Sequence, residues 1–114
     1  FIHIKDVISA TLTLGLEAEN GTTWHLSTKN ALSIKDLVSE ICHITNTNFE
    51  EIVEIGDERL GKDQTYLLSS NSMRNRFGWE DKIDLRTGLF DTISWVDKNL
   101  DVIKMLSWVY HHKE

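Results

Sequence analysis

The sequence contains no proline and a single cysteine among its 114 residues. One cysteine excludes an internal disulfide framework and suggests a reducing compartment, so a cytoplasmic location is expected. There is no proline-rich linker, low-complexity tract or internal repeat to divide the chain, and residues 1–114 read as one domain or part of one. Long apolar runs are missing as well: none approaches the ~18–20 residues that span a bilayer. A charged leader with a small-residue cleavage site is not evident either. Positive charge is in deficit, since 12 Lys+Arg against 18 Asp+Glu give a net charge of -6. General nucleic-acid binders need a positive field to displace phosphate counterions. Neither nucleic acid nor a membrane is therefore an expected partner. The glycines stand at 15, 21, 56, 61, 78 and 88, a spacing that admits neither G-x-G-x-x-G nor a P-loop. The pyrophosphate cradle of a dinucleotide is thus not part of this chain.

What is present reads as a mixed α/β pattern (an α+β fragment) of about four helices and three to five short strands. Phe1-Ile2-His3-Ile4 is an apolar, β-type run. Chain ends are usually polar unless tied down, so a strand at residue 1 suggests a sequence that starts inside a larger protein. Asp6 is suited to cap a helix over about 6–17, where Val7, Ile8, Thr11, Leu12 and Leu14 recur near a 3.6-residue period. Residues 22–28 are β-branched and aromatic and predict a strand. Ser33-Ile34-Lys35-Asp36 resembles a capping box, and Ile34, Leu37, Val38, Ile41 and Ile44 form a stripe behind it, which predicts a helix over 34–45. Glu51 to Ile55 alternates as a strand would, and so does Thr65 to Leu68. A small helix carrying Met73 and Phe77 follows, stopped by Gly78. A last amphipathic helix runs over about 85–98, with Trp95 on its core stripe.

Few side chains suggest chemistry. His3, His25 and His43 stand apart from partners at metal-ligand spacing, and the side chains of the adjacent His111 and His112 diverge, so no metal site is expected. Cys42 lies mid-helix and reads as a buried structural thiol. Trp79 and Trp95 read as packing residues. The charged loop Asp57 to Asp63 offers more. Arg59 is a planar, permanently charged fork suited to phosphate, Lys62 is a second cation, and Gly61 allows close backbone approach. The alternative is a solvated turn in which Arg59 pairs with Asp57 or Glu58.

These segments, taken in order, resemble a known family. Phe1 to Val7 is similar to the "F-[IV]-H-[IV]-x-D-V" segment of the extended short-chain dehydrogenases/reductases, the NAD-dependent nucleotide-sugar epimerases and dehydratases. Gly21 to Thr28, Leu32 to Val38, Glu58 to Leu68, and Phe77-Gly78-Trp79 with Leu85, Gly88, Leu89, Thr92 and Trp95 resemble successive later motifs. The form "ERLGKDQTYLL" looks most like the dTDP-glucose 4,6-dehydratases and their near relatives.

The resemblance implies the C-terminal, nucleotide-sugar-binding portion of such an enzyme. Arg59 matches the loop arginine that holds the nucleotide, and Lys62 a variable polar position beside it. NAD and the Tyr-x-x-x-Lys pair belong to an N-terminal Rossmann portion, and neither is found here: Tyr66 is followed four residues later by Ser70, and Tyr110 by Glu114. No catalytic residue and no bound cofactor are therefore expected of this chain. Its implied partners are a nucleoside-diphosphate sugar, the missing Rossmann portion and a second copy in a homodimer. The parent's implied chemistry is hydride removal from sugar C4 by NAD, loss of water across C5–C6 and hydride return at C6. A second reading is a non-catalytic interaction or regulatory domain derived from that module, its apolar stripes offered to a partner.

Overall fold

A computed structural model describes residues 1–56, 61 and 65–107. The described chain forms helices α1 (Ile4–Glu17), α2 (Ile34–Thr45), α3 (Phe49–Ile52), α4 (Asn71–Phe77), α5 (Leu85–Lys98) and α6 (Leu100–Lys104). Local chemistry explains most of their ends. The Ser33 hydroxyl accepts from the Asp36 N–H at 3.0 Å and donates to the Asp36 carboxylate at 2.7 Å, so the expected box closes α2. At α5 the Asp84 carboxylate accepts from the Thr87 N–H at 3.0 Å. Gly78 sits in the left-handed region at φ 63°, where its N–H closes α4 onto the Arg74 carbonyl.

No strand forms among the described residues, which corrects the expectation of three to five. Phe1 to Ile4 is not a strand, because α1 already begins at Ile4 with His3 as its cap, the imidazole Nδ1 accepting from the Lys5 N–H at 3.3 Å. The alternation of Glu51 to Ile55 is overridden at its start by Asn48, whose side chain caps the single turn of α3 and accepts from the Glu50 N–H. Residues 22–27 and 65–70 are irregular in backbone and lack the ladder that defines a strand.

The core is small. Ala10 of α1, Met73 of α4 and Trp79 are buried together, with Ile2, Leu14, Trp24, Leu26 and Phe77 packed around them. Trp24 meets Phe77 edge-on at 4.9 Å between ring centres. Cys42 is buried, as its position in the helix suggested. Asp6 holds a role that helix periodicity does not reveal. It is 5% exposed, and its two carboxylate oxygens accept from the N–H groups of Lys82 and Ile83, each at 3.1 Å. Its backbone carbonyl accepts from the Trp79 indole at 3.2 Å. Asp6 therefore ties α1 to the approach to α5, while His3 does the capping first assigned to Asp6.

One apolar stripe stays bare. Ile4, Ile8, Leu12 and Leu16 recur every four residues along α1 and are all exposed. Phe90 and Trp95 on α5 are exposed too; Trp95 is 59% accessible, against 6% for Trp79, so only Trp79 fulfils the packing expectation.

Candidate functional site

The polar centre of the structure is Arg74. Its Nε donates to the Ser70 hydroxyl at 3.0 Å, and its Nη2 donates to the Ser27 carbonyl at 3.1 Å and to Asp81. Its guanidinium lies 5.1 Å from the Trp79 ring centre. Helix α4 supplies the arginine, Ser70 immediately precedes the helix, and Gly78 turns the chain so that Trp79 and Asp81 come back over them. Ser70 makes no side-chain cap bond to α4. Its hydroxyl instead donates to the Ser27 carbonyl at 2.9 Å, while the Ser27 hydroxyl donates to the Leu68 carbonyl at 2.6 Å. Side chains thus join two extended segments that no ladder joins.

Burial opposes ionisation of Asp81, but its hydrogen bond from Arg74, a backbone contact and the charges of Arg74 and Lys29 outweigh that, holding the carboxyl below its ordinary 3.8. Asp84 is also held low, by the hydroxyl and then the N–H of Thr87.

Two open cavities flank this centre. The larger, of about 1080 Å³, lies between residues 26–34 and 65–71, with Lys29, Tyr66 and Asn71 on its walls. The smaller, of about 410 Å³, lies between Phe1 to His3, residues 28–32 and the start of α5. Phe1, Ile2 and Thr28 line both. The larger cavity, an open trough, mixes apolar groups such as Leu26, Leu32 and Leu67 with polar ones such as Ser27, Asn30 and Ser70.

Arg59 and Lys62, the two residues singled out for nucleotide binding, lie outside the described residues. Gly61 between them has φ 81°, a conformation that favours glycine. The chain continues from their loop into residues 65–70, one wall of the larger cavity. Sequence reasoning missed Arg74 and Asp6 as organising residues, because the partners that join them to other segments are distant in the chain: 47 residues for Arg74 with Ser27, and 76 and 77 for Asp6 with Lys82 and Ile83.

Comparison with solved structures places this geometry. The model superposes on dTDP-glucose 4,6-dehydratase from Bacillus anthracis, solved in complex with NAD, with a TM-score of 0.77 and 25% identity over 88% of this chain. The chain resembles the extended short-chain dehydrogenases/reductases. A second solved enzyme, Bordetella bronchiseptica WbmF in complex with NADH, gives a TM-score of 0.74 at 25% identity over 91% of the chain. Among curated proteins, the chain is 25% identical over 99 residues to the trifunctional UDP-glucose 4,6-dehydratase/UDP-4-keto-6-deoxy-D-glucose 3,5-epimerase/UDP-4-keto-L-rhamnose-reductase of Arabidopsis thaliana. It is 25% identical over 104 residues to dTDP-D-glucose 4,6-dehydratase of Bos taurus. No family model matches the chain. The chain spans 15% and 29% of those two curated relatives, and 31% and 30% of the two solved chains.

The glycines show no pyrophosphate cradle of the kind that a dinucleotide-binding turn provides. A Cβ added at Gly88 would meet the His3 ring at 3.0 Å, so its space is filled from within, and the other glycines have nothing within 4 Å. No glycine among them forms a cradle walled by other backbone.

Proposed function

We propose that this chain is the C-terminal, substrate-binding portion of an NAD-dependent nucleotide-sugar dehydratase or epimerase of the dTDP-glucose 4,6-dehydratase type. The observation that carries the reading is the superposition on dTDP-glucose 4,6-dehydratase over 88% of the chain. The bare stripe of Ile4, Ile8, Leu12 and Leu16 is suited to lie against more protein. The solved relatives, about three times as long, have that additional protein. In this reading the Rossmann portion brings the cofactor and the catalytic pair. This chain contributes the trough and the Arg59–Lys62 loop, which grip the nucleoside diphosphate so that the sugar is presented to the cofactor. Binding energy from the non-reacting nucleotide then orients the reacting carbon.

The test is to express the full reading frame and incubate it with dTDP-glucose and UDP-glucose. Formation of a 4-keto sugar supports the proposal. Absence of both turnover and binding, in a folded protein, refutes it.

The interaction-domain reading is favoured by the same α1 stripe. A tight complex of the chain with a protein lacking a dinucleotide-binding portion, seen by native mass spectrometry, would select it instead.

A further inference from the structure

We propose that Arg74 is a positioning residue for the ligand: its guanidinium fastens the two walls of the larger trough together and so sets the trough's width. This rests on the reading of that trough as the nucleotide-sugar seat.

One wall descends through Ser27 and the other through Leu68 and Ser70. The links between them are the bonds from Ser27 to Leu68 at 2.6 Å, from Ser70 to Ser27 at 2.9 Å and from Arg74 to Ser27 at 3.1 Å. Arg74 is the member that also reaches out of this pair, to Asp81 on the far side. Its side chain is 10% exposed and that of Asp81 is 22% exposed. A nearly buried cation is an expensive choice for packing alone, since a well-packed apolar side chain often stabilises a fold as well or better. What a guanidinium adds is geometry. Its planar fork presents donors in fixed directions, so Ser70, Ser27 and Asp81 are held in one arrangement. A lysine, with a single ammonium on a flexible stem, can keep the charge but not the three directions.

The experiment compares the full-length protein with its Arg74→Lys, Asp81→Asn and Ser70→Ala variants. Each is titrated calorimetrically with dTDP-glucose and UDP-glucose, and its melting temperature is recorded. Arg74→Lys keeps a charge beside Asp81 but loses the Ser27 and Ser70 bonds, so it is expected to melt below the parent and, where it is folded, to bind about tenfold more weakly. Asp81→Asn leaves the Ser27 and Ser70 bonds in place, so it should lower the melting temperature while affinity stays within about twofold. A purely structural arginine would lower the melting temperature in both variants without weakening binding by the folded protein. If Arg74→Lys binds as tightly as the parent, the positioning role is wrong although the functional reading survives. If the parent binds neither nucleotide sugar, the functional reading itself fails and the positioning role with it. Should Arg74→Lys not fold, Ser70→Ala decides: weaker binding at an unchanged melting temperature supports the role, and unchanged affinity overturns it.

Discussion

Replacing Asp6 by Ala should be among the most damaging single changes in the molecule. The carboxylate is 5% exposed and accepts from the N–H groups of Lys82 and Ile83, both at 3.1 Å. A hydrogen bond to a charged group contributes about 1.5–3 kcal/mol, and its loss leaves a partly buried donor unpaired. Two such bonds are lost, with some recovery from water entering the gap, so the cost should be about 3–5 kcal/mol. At about 2.1 cal/mol/K of unfolding entropy per residue, that corresponds to a fall of about 12–20 °C in melting temperature. Asp6→Asn retains one acceptor and turns an amide donor toward the other N–H, so it should fall short of the alanine variant but in the same direction. The assay is thermal unfolding by circular dichroism, with amide hydrogen exchange at residues 82 and 83 as the local readout. Both amides should exchange markedly faster in the alanine variant. A fall of less than about 3 °C, with exchange at the two amides unaltered, would show that the clamp contributes nothing and refute the reasoning.

The remaining expectations concern charge and packing. Because the Asp81 carboxyl is held below its ordinary 3.8, mainly by Arg74 against the cost of burial, its stabilisation is present above that pH and is lost as pH falls through the lower, folded-state value. Asp81→Asn should therefore cost about 1–3 kcal/mol near neutrality and flatten the acid limb of a melting-temperature profile below about pH 4; an acid limb identical to the parent's would contradict this. Gly88→Ala should destabilise by about 1–2 kcal/mol, since the new Cβ would lie 3.0 Å from the His3 ring. In a His3→Ala background the same change should instead stabilise by about 0.5–1 kcal/mol through helix propensity. A double-mutant cycle by chemical denaturation checks the reversal, and purely additive effects would exclude the contact.

Signals contained within a few neighbouring residues were legible in the sequence. The Ser33–Asp36 box, the stop at Gly78, and the helix over 85–98 all form as expected, because each depends on partners within one turn. The expected strands did not form, and the reason is physical: a strand is completed by a ladder partner, which propensity at Thr22 to Ser27 or Thr65 to Leu68 cannot supply. At Glu51 a short alternating run lost to the Asn48 cap. Trp95 and Ile8 show the same limit from the other side. Periodicity identifies an apolar face but not whether anything within the chain covers it, and here nothing described does. For the site, Arg59 and Lys62 were singled out through the family resemblance, and both lie outside the described residues. Arg74 was not singled out, because an arginine in a short helix has no local mark that its partners are Ser27 and Asp81.

The most direct measurement is steady-state kinetics of the full-length protein and its Arg59→Ala variant on dTDP-glucose and UDP-glucose. If this chain grips the nucleotide, the variant should lose about 1.5–3 kcal/mol of binding, a rise in KM of roughly 10- to 150-fold with kcat little changed. A KM equal to the parent's on the sugar nucleotide that is turned over would mean that substrate is held elsewhere.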